Sequence, residues 1–472
     1  MSVQKPDPLA SLDPTAATPF YRQIYDRVRG AIASGVLKPG DRIPSARALT
    51  KELGLARGTI ETAYSLLAAE GYIQARGQAG TIVTPDLKPR PSMATPPRPD
   101  AGIAATSFRP DSILPFQMGL PALDMFPRKI WARLGARCVR AMQPPDMVHP
   151  AVYGLPALRA QIAAYLQVSR GINCSPAQIF VTSGYRHTIE LIAHAVLKEG
   201  DRVWLENPGY PPTRELLGHM RIAAVPVPVD RDGMVVSDAV KLAPKARAAV
   251  VTPAHQSPLC VSLPLSRRLE LLDWAGRNHA WIIEDDYDGE YRYVSRPLPA
   301  LKSLDREERV LYAGTFSKVL FPSIRLAYLV VPETLVERFE QISQAFAGGS
   351  PELTQAIVTA FITEGHFARH IQRMRKLYAE RREATAAGLE SVLANRMRID
   401  AQPGGMHLIL RLQGRQSDRE LVARMRQDGL YAEALSGWTT DTGGASALLL
   451  NFTNIDSQGT AEKLGKRILK LM

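Results

Sequence analysis

A lysine that follows an apolar run carries the clearest chemical signal in this sequence of 472 residues. Lys318 ends the segment RVLYAGTFSK and precedes VLFPSIRLAY, so its neighbours along the chain are aromatic and aliphatic. Burial among such neighbours favours the neutral amine, which is the nucleophile that forms a Schiff base. Thr315, Ser317 and Arg325 flank the lysine and offer the hydroxyl groups and the charge that hold a phosphate. The segment therefore predicts an amine nucleophile beside an anion site.

A carboxylate and a helix N-terminus extend this set. Asp285 lies near the end of the apolar segment AWIIEDD, where an unpaired charge is costly and where a pyridinium N–H would be its partner in a pyridoxal 5′-phosphate (PLP) enzyme. The run IFVTSG at 179–184 leads into a helical pattern, which places Gly184 and Tyr185 at a helix N-terminus, a natural anion site. Taken singly, Lys318 also fits a surface lysine, and Asp285 an N-cap or a salt-bridge partner. The combination favours a PLP site.

Short apolar runs position these residues. The segments 247–253, 280–286 and 309–318 alternate with helical patterns and predict parallel strands that are buried on both faces of an α/β sheet. Ligands of such sheets bind beyond the carboxyl ends of the strands. We therefore expect the reactive side chains that follow the strands to converge.

The first 84 residues have a different organisation. Apolar residues at a four-residue spacing predict a helix over 19–33, and Ser45 is a plausible N-cap for a short second helix that ends at Gly54. A third helix ends at Gly71, and YIQARGQAGTIVT has the pattern of a β-hairpin. The apolar positions that define the first and third helices are Phe20, Ile24, Val28, Ile32, Ile60, Ala63, Tyr64 and Leu67. This order of elements predicts a winged helix-turn-helix.

The segment GDRIPSARALTKELGLARGTIETAYSLLAAEGYIQARGQAGTIV resembles the DNA-binding domain of the GntR superfamily. The resemblance implies a double-stranded DNA operator as partner, with the start of the third helix in the major groove and the wing tip on the minor groove or the phosphates. The alternative is that the arginines of this segment form a solvated surface. The residues that the resemblance assigns to DNA are Ser45, Arg47, Arg57, Gly58, Thr59, Arg76 and Gly77.

The composition of the chain limits the classes of partner, metal site and location that it can have. The sequence has 58 Lys and Arg against 46 Asp and Glu, a net charge of +12, which permits an anionic partner without identifying one. It has no apolar run long enough for a membrane span, and its three separated cysteines fit neither a disulfide framework nor a zinc site, so we expect a cytoplasmic protein without a metal. We expect a flexible N-terminus at 1–18, a winged helix-turn-helix at 19–84, a proline-rich linker at 85–112 and an effector domain at 113–472.

The large domain resembles the fold-type I aminotransferases, and more closely the MocR-like regulators, in which a GntR-type domain is fused to an aminotransferase-like domain. The matching motifs are ENPGYP, TPAHQSP, IIEDDYDGEYRY and GTFSKVLFPSIRLAYLVVP. The resemblance implies that Lys318 forms the Schiff base, that Asp285 pairs with the pyridine nitrogen and that Tyr287 donates to O3′ of PLP. It places Tyr210 near the cofactor ring, although a core tyrosine is the alternative, and Gln256 where the aminotransferases have an Asn on O3′. The phosphate would be held by Thr315, Ser317, Arg325 and the backbone at Gly184 and Tyr185.

Three departures from the family pattern stand out. His149 occupies the position of a tyrosine that normally reaches the phosphate of the partner subunit, and Cys260 occupies that of a glycine. Leu449 in LLLNF replaces the arginine that grips the α-carboxylate of an amino acid through a bidentate fork. His407 is either a residue of the same cavity or a hydrogen-bonded core histidine.

These observations predict a PLP-dependent transcriptional regulator. It would be a homodimer that senses an amine, or PLP itself, through an aldimine at Lys318, with no catalytic residues assigned and residual half-transamination left open. The main alternative is an active aminotransferase with an accessory DNA-binding domain, against which Leu449 argues. A third alternative is a DNA-binding protein whose large domain is an empty dimerisation scaffold.

Overall fold

A computed structural model of the chain describes residues 12–16, 18–76, 80–85, 113–292, 299–346, 349–400, 404–441 and 446–472. The chain divides into two compact units, Met1–Arg109 and Pro110–Met472. Most of the expected flexible N-terminus (1–11 and 17) and nearly all of the expected linker (86–112) lie outside the described residues, so the domain boundaries stay a prediction. None of the helices in the described ranges combines the length and the apolarity that a membrane span needs.

The N-terminal unit has the predicted winged helix-turn-helix. Its helices in the described residues are α1 (Phe20–Ala33), α2 (Ala46–Leu53) and α3 (Arg57–Ala69). Its strands are β1 (Arg42–Ile43), β2 (Ile73–Ala75) and β3 (Thr81–Val83), in the antiparallel order β1-β3-β2. Phe20 is only half-buried, whereas the other apolar positions that predicted the first and third helices form the core: Ile24, Val28, Ile32, Ile60, Ala63, Tyr64 and Leu67.

The large unit is built on a mixed sheet with the strand order β4-β11-β10-β9-β8-β5-β6-β7. The strands are β4 (Ile179–Thr182), β5 (Arg202–Asn207), β6 (Ala223–Asp230), β7 (Gly233–Met234), β8 (Ala248–Val251), β9 (Trp281–Asp286), β10 (Val310–Thr315) and β11 (Ala327–Val330). The predicted strands β8, β9 and β10 are adjacent and parallel, with Asp285 opposite Ala313. Strand β11 runs antiparallel to β4 and puts Ala327 opposite Thr182, so the chain entering β11 lies beside the chain leaving β4.

Helices cover both faces of this sheet, which explains why its strands are apolar throughout. Val203, Val250 and Ile283 pack on one side, and Trp204 and Ile282 on the other. The helices of the large unit up to the end of the sheet are α4 (Arg128–Ala141), α5 (Pro156–Arg170), α6 (Tyr185–Val196), α7 (Pro211–His219), α8 (Val236–Leu242), α9 (Leu265–Asn278) and α10 (Val336–Ala345).

A second, smaller sheet follows in the C-terminal part. Helices α11 (Glu352–Thr363) and α12 (His366–Leu393) lead into β12 (Met397–Ile399), β13 (His407–Leu412), α13 (Asp418–Gln427), β14 (Glu433–Ala434), β15 (Ala447–Asn451) and α14 (Gln458–Leu471). The four strands are antiparallel in the order β12-β13-β15-β14. Side chains of β15 alternate: Leu448 and Leu450 face the main core of this part, and Leu449 faces a separate apolar cluster.

Candidate cofactor site and nucleic-acid interface

Lys318 lies in the turn that follows β10. Its Nζ donates a hydrogen bond of 3.0 Å to the carbonyl oxygen of Gly119. Burial lowers the pKa of Lys318 from its ordinary value, although the carboxylates of Asp288, Asp285 and Glu433 oppose the shift. The position therefore favours the neutral amine that the sequence predicts.

Gly119 is a site residue that sequence reasoning missed. Its φ of +77° lies in the left-handed region, and a Cβ there would collide with Nζ of Lys318. A glycine is thus needed both for the backbone conformation and for the close approach of the lysine. The segment MGLP holds no local motif, so only the tertiary contact identifies Gly119.

Asp285 lines a cavity at the carboxyl edge of the sheet. Its side chain accepts no hydrogen bond from any residue that the structure describes. Desolvation, together with the nearby carboxylates of Asp286, Glu206 and Asp288, raises the pKa of Asp285 well above its ordinary value. A buried carboxylate without a donor is costly, and a cationic N–H of a ligand would stabilise it.

The neighbouring carboxylate, Asp286, has a different environment. It accepts hydrogen bonds from Nε of Arg170 at 2.5 Å and from the hydroxyl of Tyr312 at 2.6 Å. Arg170 also donates to Glu290 at 2.8 Å, and all of these side chains are buried. This network fixes the end of β9 against α5. No local pattern predicted it, because Arg170 is more than 100 residues from the two carboxylates it binds.

Aromatic side chains form one wall of the cavity. The ring centroids of Tyr185 and Tyr210 are 5.6 Å apart, and Tyr210 lies 5.6 Å from Trp438. The hydroxyl of Tyr185 shares a hydrogen bond of 2.7 Å with Thr213. Tyr210 is 42% exposed, so it is not a core tyrosine. The rings are inclined to one another, by 69° between Tyr185 and Tyr210 and by 45° between Tyr210 and Trp438, so they present both faces and edges around the cavity.

The guanidinium of Arg325 lies beside the turn where β4 ends and α6 begins. Gly184 has φ +107°, and a Cβ on it would lie 3.4 Å from the guanidinium carbon of Arg325. Within the described ranges no carboxylate pairs with Arg325. Ser317 donates its backbone N–H to Oγ1 of Thr315 at 3.1 Å on the neighbouring turn. The N-terminus of α6 and this guanidinium therefore adjoin one space, an arrangement that fits a phosphate.

Tyr287 and Gln256 differ in what they contact. The hydroxyl of Tyr287 lies 3.1 Å from Nδ1 of His255. The amide of Gln256 is engaged by its own loop and a neighbouring one: Nε2 donates to the carbonyl oxygen of Pro208 at 2.9 Å, and Oε1 accepts from the N–H of Leu259 at 2.9 Å. Gln256 is not among the residues that line the cavity, and neither are Tyr287, Lys318 and Arg325. Its contacts here hold the loop in place.

In the N-terminal unit, Ser45 caps α2 as expected, because its hydroxyl accepts the N–H of Ala48 at 3.2 Å. Arg47 lies on the first turn of α2 and is exposed.

The third helix begins at Arg57, as predicted, and Arg57 and Gly58 are exposed while Thr59 is half-buried. Nε of Arg57 donates to Glu61 at 2.7 Å, an ion pair between adjacent turns. Arg76 is exposed in the hairpin, and Gly77 lies outside the described residues.

Two family models cover most of the chain. Residues 127–457 match the aminotransferases of class I and II, and residues 20–83 match the bacterial regulatory proteins of the gntR family. The probable rhizopine catabolism regulatory protein MocR of Rhizobium meliloti is 36% identical over 464 residues, which cover 96% of this chain and 93% of that protein. This chain belongs to the MocR-like regulators of the GntR superfamily.

Other relatives agree with this family. The HTH-type pyridoxine biosynthesis transcriptional regulator PdxR of Corynebacterium glutamicum is 32% identical and covers 94% of both chains. The crystal structure of the α-aminoadipate aminotransferase LysN from Thermus thermophilus, in complex with N-(5′-phosphopyridoxyl)-L-leucine, matches with a TM-score of 0.68. It is 27% identical and covers 76% of this chain and 92% of that chain. The fold of this MocR-like chain thus indicates PLP as its cofactor.

The departures from the family pattern have distinct environments in this MocR-like regulator. Leu449 is fully buried in an apolar cluster with Ile409, Leu435 and Trp438. His149 is exposed. His407 is buried and its Nε2 lies 2.9 Å from the carbonyl oxygen of Pro258, so it is a hydrogen-bonded core histidine and does not line the cavity.

Proposed function

We propose that this MocR-like regulator binds a double-stranded DNA operator through its N-terminal domain and senses an amine, or PLP itself, at Lys318. The observation that carries the proposal is the combination, in one chain, of a buried lysine, an unpartnered buried carboxylate and an anion cradle with an exposed helix-turn-helix. A homodimer would present two such helices to two half-sites of DNA.

The residues fit PLP group by group. Gly184 and Arg325 suit its phosphate, because the glycine leaves the space beside the guanidinium open. Asp285 suits its ring nitrogen, and the aromatic side chains of Tyr185 and Tyr210, which line the same cavity, suit contact with its ring. PLP bound here would supply an aldehyde that condenses reversibly with primary amines.

The chain's own groups prepare the lysine. Burial lowers the pKa of Lys318, and the carbonyl of Gly119 accepts one of its N–H bonds and orients it. A carboxylate at Asp285 offsets positive charge at a ligand nitrogen and is itself relieved of a costly desolvation. These residues bind and orient, and the proposal assigns them no turnover.

A second candidate is an active aminotransferase, and the retained pair of Lys318 and Asp285 favours it. The absence of an arginine at position 449 argues against it, because an amino acid must be held with its Cα–H bond facing the lysine. Leu449 is packed among apolar side chains and cannot pair with a carboxylate.

The visible absorption spectrum of the purified, PLP-saturated protein separates these functions. Under our proposal a primary amine changes the spectrum and alters the affinity for operator fragments selected from genomic DNA, while keto acid formation stays negligible. Multiple turnovers at about 1–1000 per second with an amino acid and keto acid pair would establish the enzyme instead. A protein with no cofactor absorbance after PLP saturation would support the empty scaffold.

A further inference from the structure

A cysteine in the large domain lies between two histidines. Cys260 belongs to the loop between β8 and α9, and its Sγ lies 3.3 Å from Nε2 of His407 on β13. The residue is 2% exposed, and its backbone has φ +62°, a conformation that is uncommon for a residue other than glycine. The side chain is thus held at this place at some conformational cost.

His255 supplies the second imidazole of this cluster. Its Nδ1 lies 2.9 Å from the carboxylate of Asp288, whereas its buried Nε2 has no hydrogen-bond partner among the described residues. Gly405 packs closely against this edge of the ring, since a Cβ on it would collide with Cε1 and Nε2. A buried ring nitrogen without a hydrogen-bond partner beside a thiol can form one further hydrogen bond.

Electrostatics favour the thiolate. Burial alone would raise the pKa of Cys260, but His407 and His255 more than offset it and lower the pKa to about 6. The other titratable groups that face the cluster are Tyr287 and, behind His255, Asp288. In the described ranges no group of three or more Cys, His, Asp or Glu side chains is arranged to hold a metal ion. Thiol chemistry is therefore the better match.

We propose that Cys260 is an oxidant-sensitive site that reacts with small hydroperoxides and transmits the reaction to the cofactor site through His255. The thiolate sulfur attacks one peroxide oxygen, an S–O bond forms and the O–O bond breaks. The sulfur supplies the electron pair and becomes a sulfenic acid, while the leaving oxygen takes a proton from the imidazolium of His407 and departs as water or an alcohol.

Two features connect the cysteine to its surroundings. Cys260 and its neighbours Leu259, Val261 and Ser262 line an open surface recess, which gives a small peroxide a route. On the other side, Nδ1 of His255 lies 3.1 Å from the hydroxyl of Tyr287, a predicted cofactor contact. An added sulfenic oxygen would engage Nε2 of His255 and so change the hydrogen bonding of Nδ1, which contacts both Asp288 and Tyr287.

The test uses the full-length protein, hydrogen peroxide and a dimedone trap, with peptide mass mapping. We expect the adduct on Cys260 and not on Cys174, a half-buried cysteine whose pKa burial raises. Alkylation of Cys260 by iodoacetamide should have a midpoint near pH 6, and His407→Gln should raise that midpoint by about 1–3 pH units. These readouts do not depend on PLP. A Cys260 that stays unmodified in native protein but reacts after denaturation would overturn the proposal.

The visible absorption of PLP measures whether oxidation of Cys260 affects the cofactor site. Peroxide should shift the visible band of PLP-loaded wild type, and reductant should restore it, whereas Cys260→Ser should give no shift and Cys174→Ser should behave as wild type. Modification of Cys260 without any spectral change would exclude the role of His255 as the connection. A change that persists in Cys260→Ser would assign the spectral effect to direct oxidation elsewhere.

Discussion

Asp285→Asn changes one carboxylate oxygen to an amide nitrogen at the edge of the sheet and leaves the side-chain shape nearly unaltered. In the cofactor-free protein this carboxylate is buried, accepts no hydrogen bond from a described residue and lies near Asp286, Glu206 and Asp288, and its pKa is raised well above the ordinary value. The folded protein then binds more protons than the unfolded chain between the two pKa values, so its stability falls as the pH rises through that range. Because Asn does not titrate, Asp285→Asn removes this pH-dependent loss of stability. The cofactor-free variant should therefore be more stable than wild type at neutral pH.

Binding of PLP should respond in the opposite direction. A hydrogen bond to a charged group contributes about 1.5–3 kcal/mol, which corresponds to a cofactor affinity lower by about 10- to 150-fold in Asp285→Asn. The two effects separate the role of Asp285 toward a cationic ligand from a purely structural role. A structural carboxylate would lose stability on mutation and leave the affinity for PLP unchanged.

Equilibrium titration with PLP gives the affinity, and thermal unfolding of cofactor-free protein at pH 6 and pH 8 gives the stability. Glu383→Gln, which neutralises an exposed carboxylate on α12, is the matched control and should change neither quantity. Wild-type affinity for PLP in Asp285→Asn would refute the pairing with the pyridine nitrogen.

The same geometry leads to three more expected outcomes. Borohydride reduction of PLP-loaded protein should leave a pyridoxyl group on Lys318 in peptide maps. An adduct on another lysine would show that Lys318 does not form the Schiff base. Arg57→Ala should weaken specific DNA binding by about 1–3 kcal/mol in gel shifts at fixed salt, without changing PLP affinity. Glu61→Gln releases Arg57 from its ion pair and should tighten DNA binding about twofold. Wild-type affinity for DNA in Arg57→Ala would show that Arg57 does not contact the operator. Leu449→Arg should destabilise the fold by about 3–5 kcal/mol, since Leu449 is fully buried, and improved binding of amino acids by a stable variant would contradict this.

Local patterns in the sequence were enough to predict the elements that carry the site. The apolar runs before Asp285 and Lys318 became adjacent parallel strands, and the four-residue spacing from Ile24 to Ile32 became a buried helix face. Both predictions depend on hydrophobic periodicity, which is a property of neighbouring residues.

Contacts between distant segments were not predictable in this way. Gly119 accepts from Lys318 across 199 positions, and Arg170 bridges to Asp286 across 116. A single sequence contains no signal for such pairs, because each residue is unremarkable among its own neighbours. Gln256 illustrates a position that the family resemblance assigned to a cofactor contact. In the structure its amide forms hydrogen bonds with backbone groups of the surrounding loops, which the resemblance did not predict.

An aminotransferase combines two properties, exchange of amines and orientation of the substrate. In this chain the two properties depend on different positions, 318 and 449. In our proposal amines exchange at the buried Lys318, whose pKa burial lowers and whose position depends on the turn after β10 and on Gly119. Orientation of a substrate depends on a different element, β15, where an apolar cluster occupies the position of the carboxylate-binding arginine. Since small errors in orientation cost about 100-fold in rate while binding tolerates them, we expect a domain that lacks the second property to bind amines without rapid turnover. A sensor requires binding without consumption of the signal, and our proposal assigns that behaviour to this combination of residues.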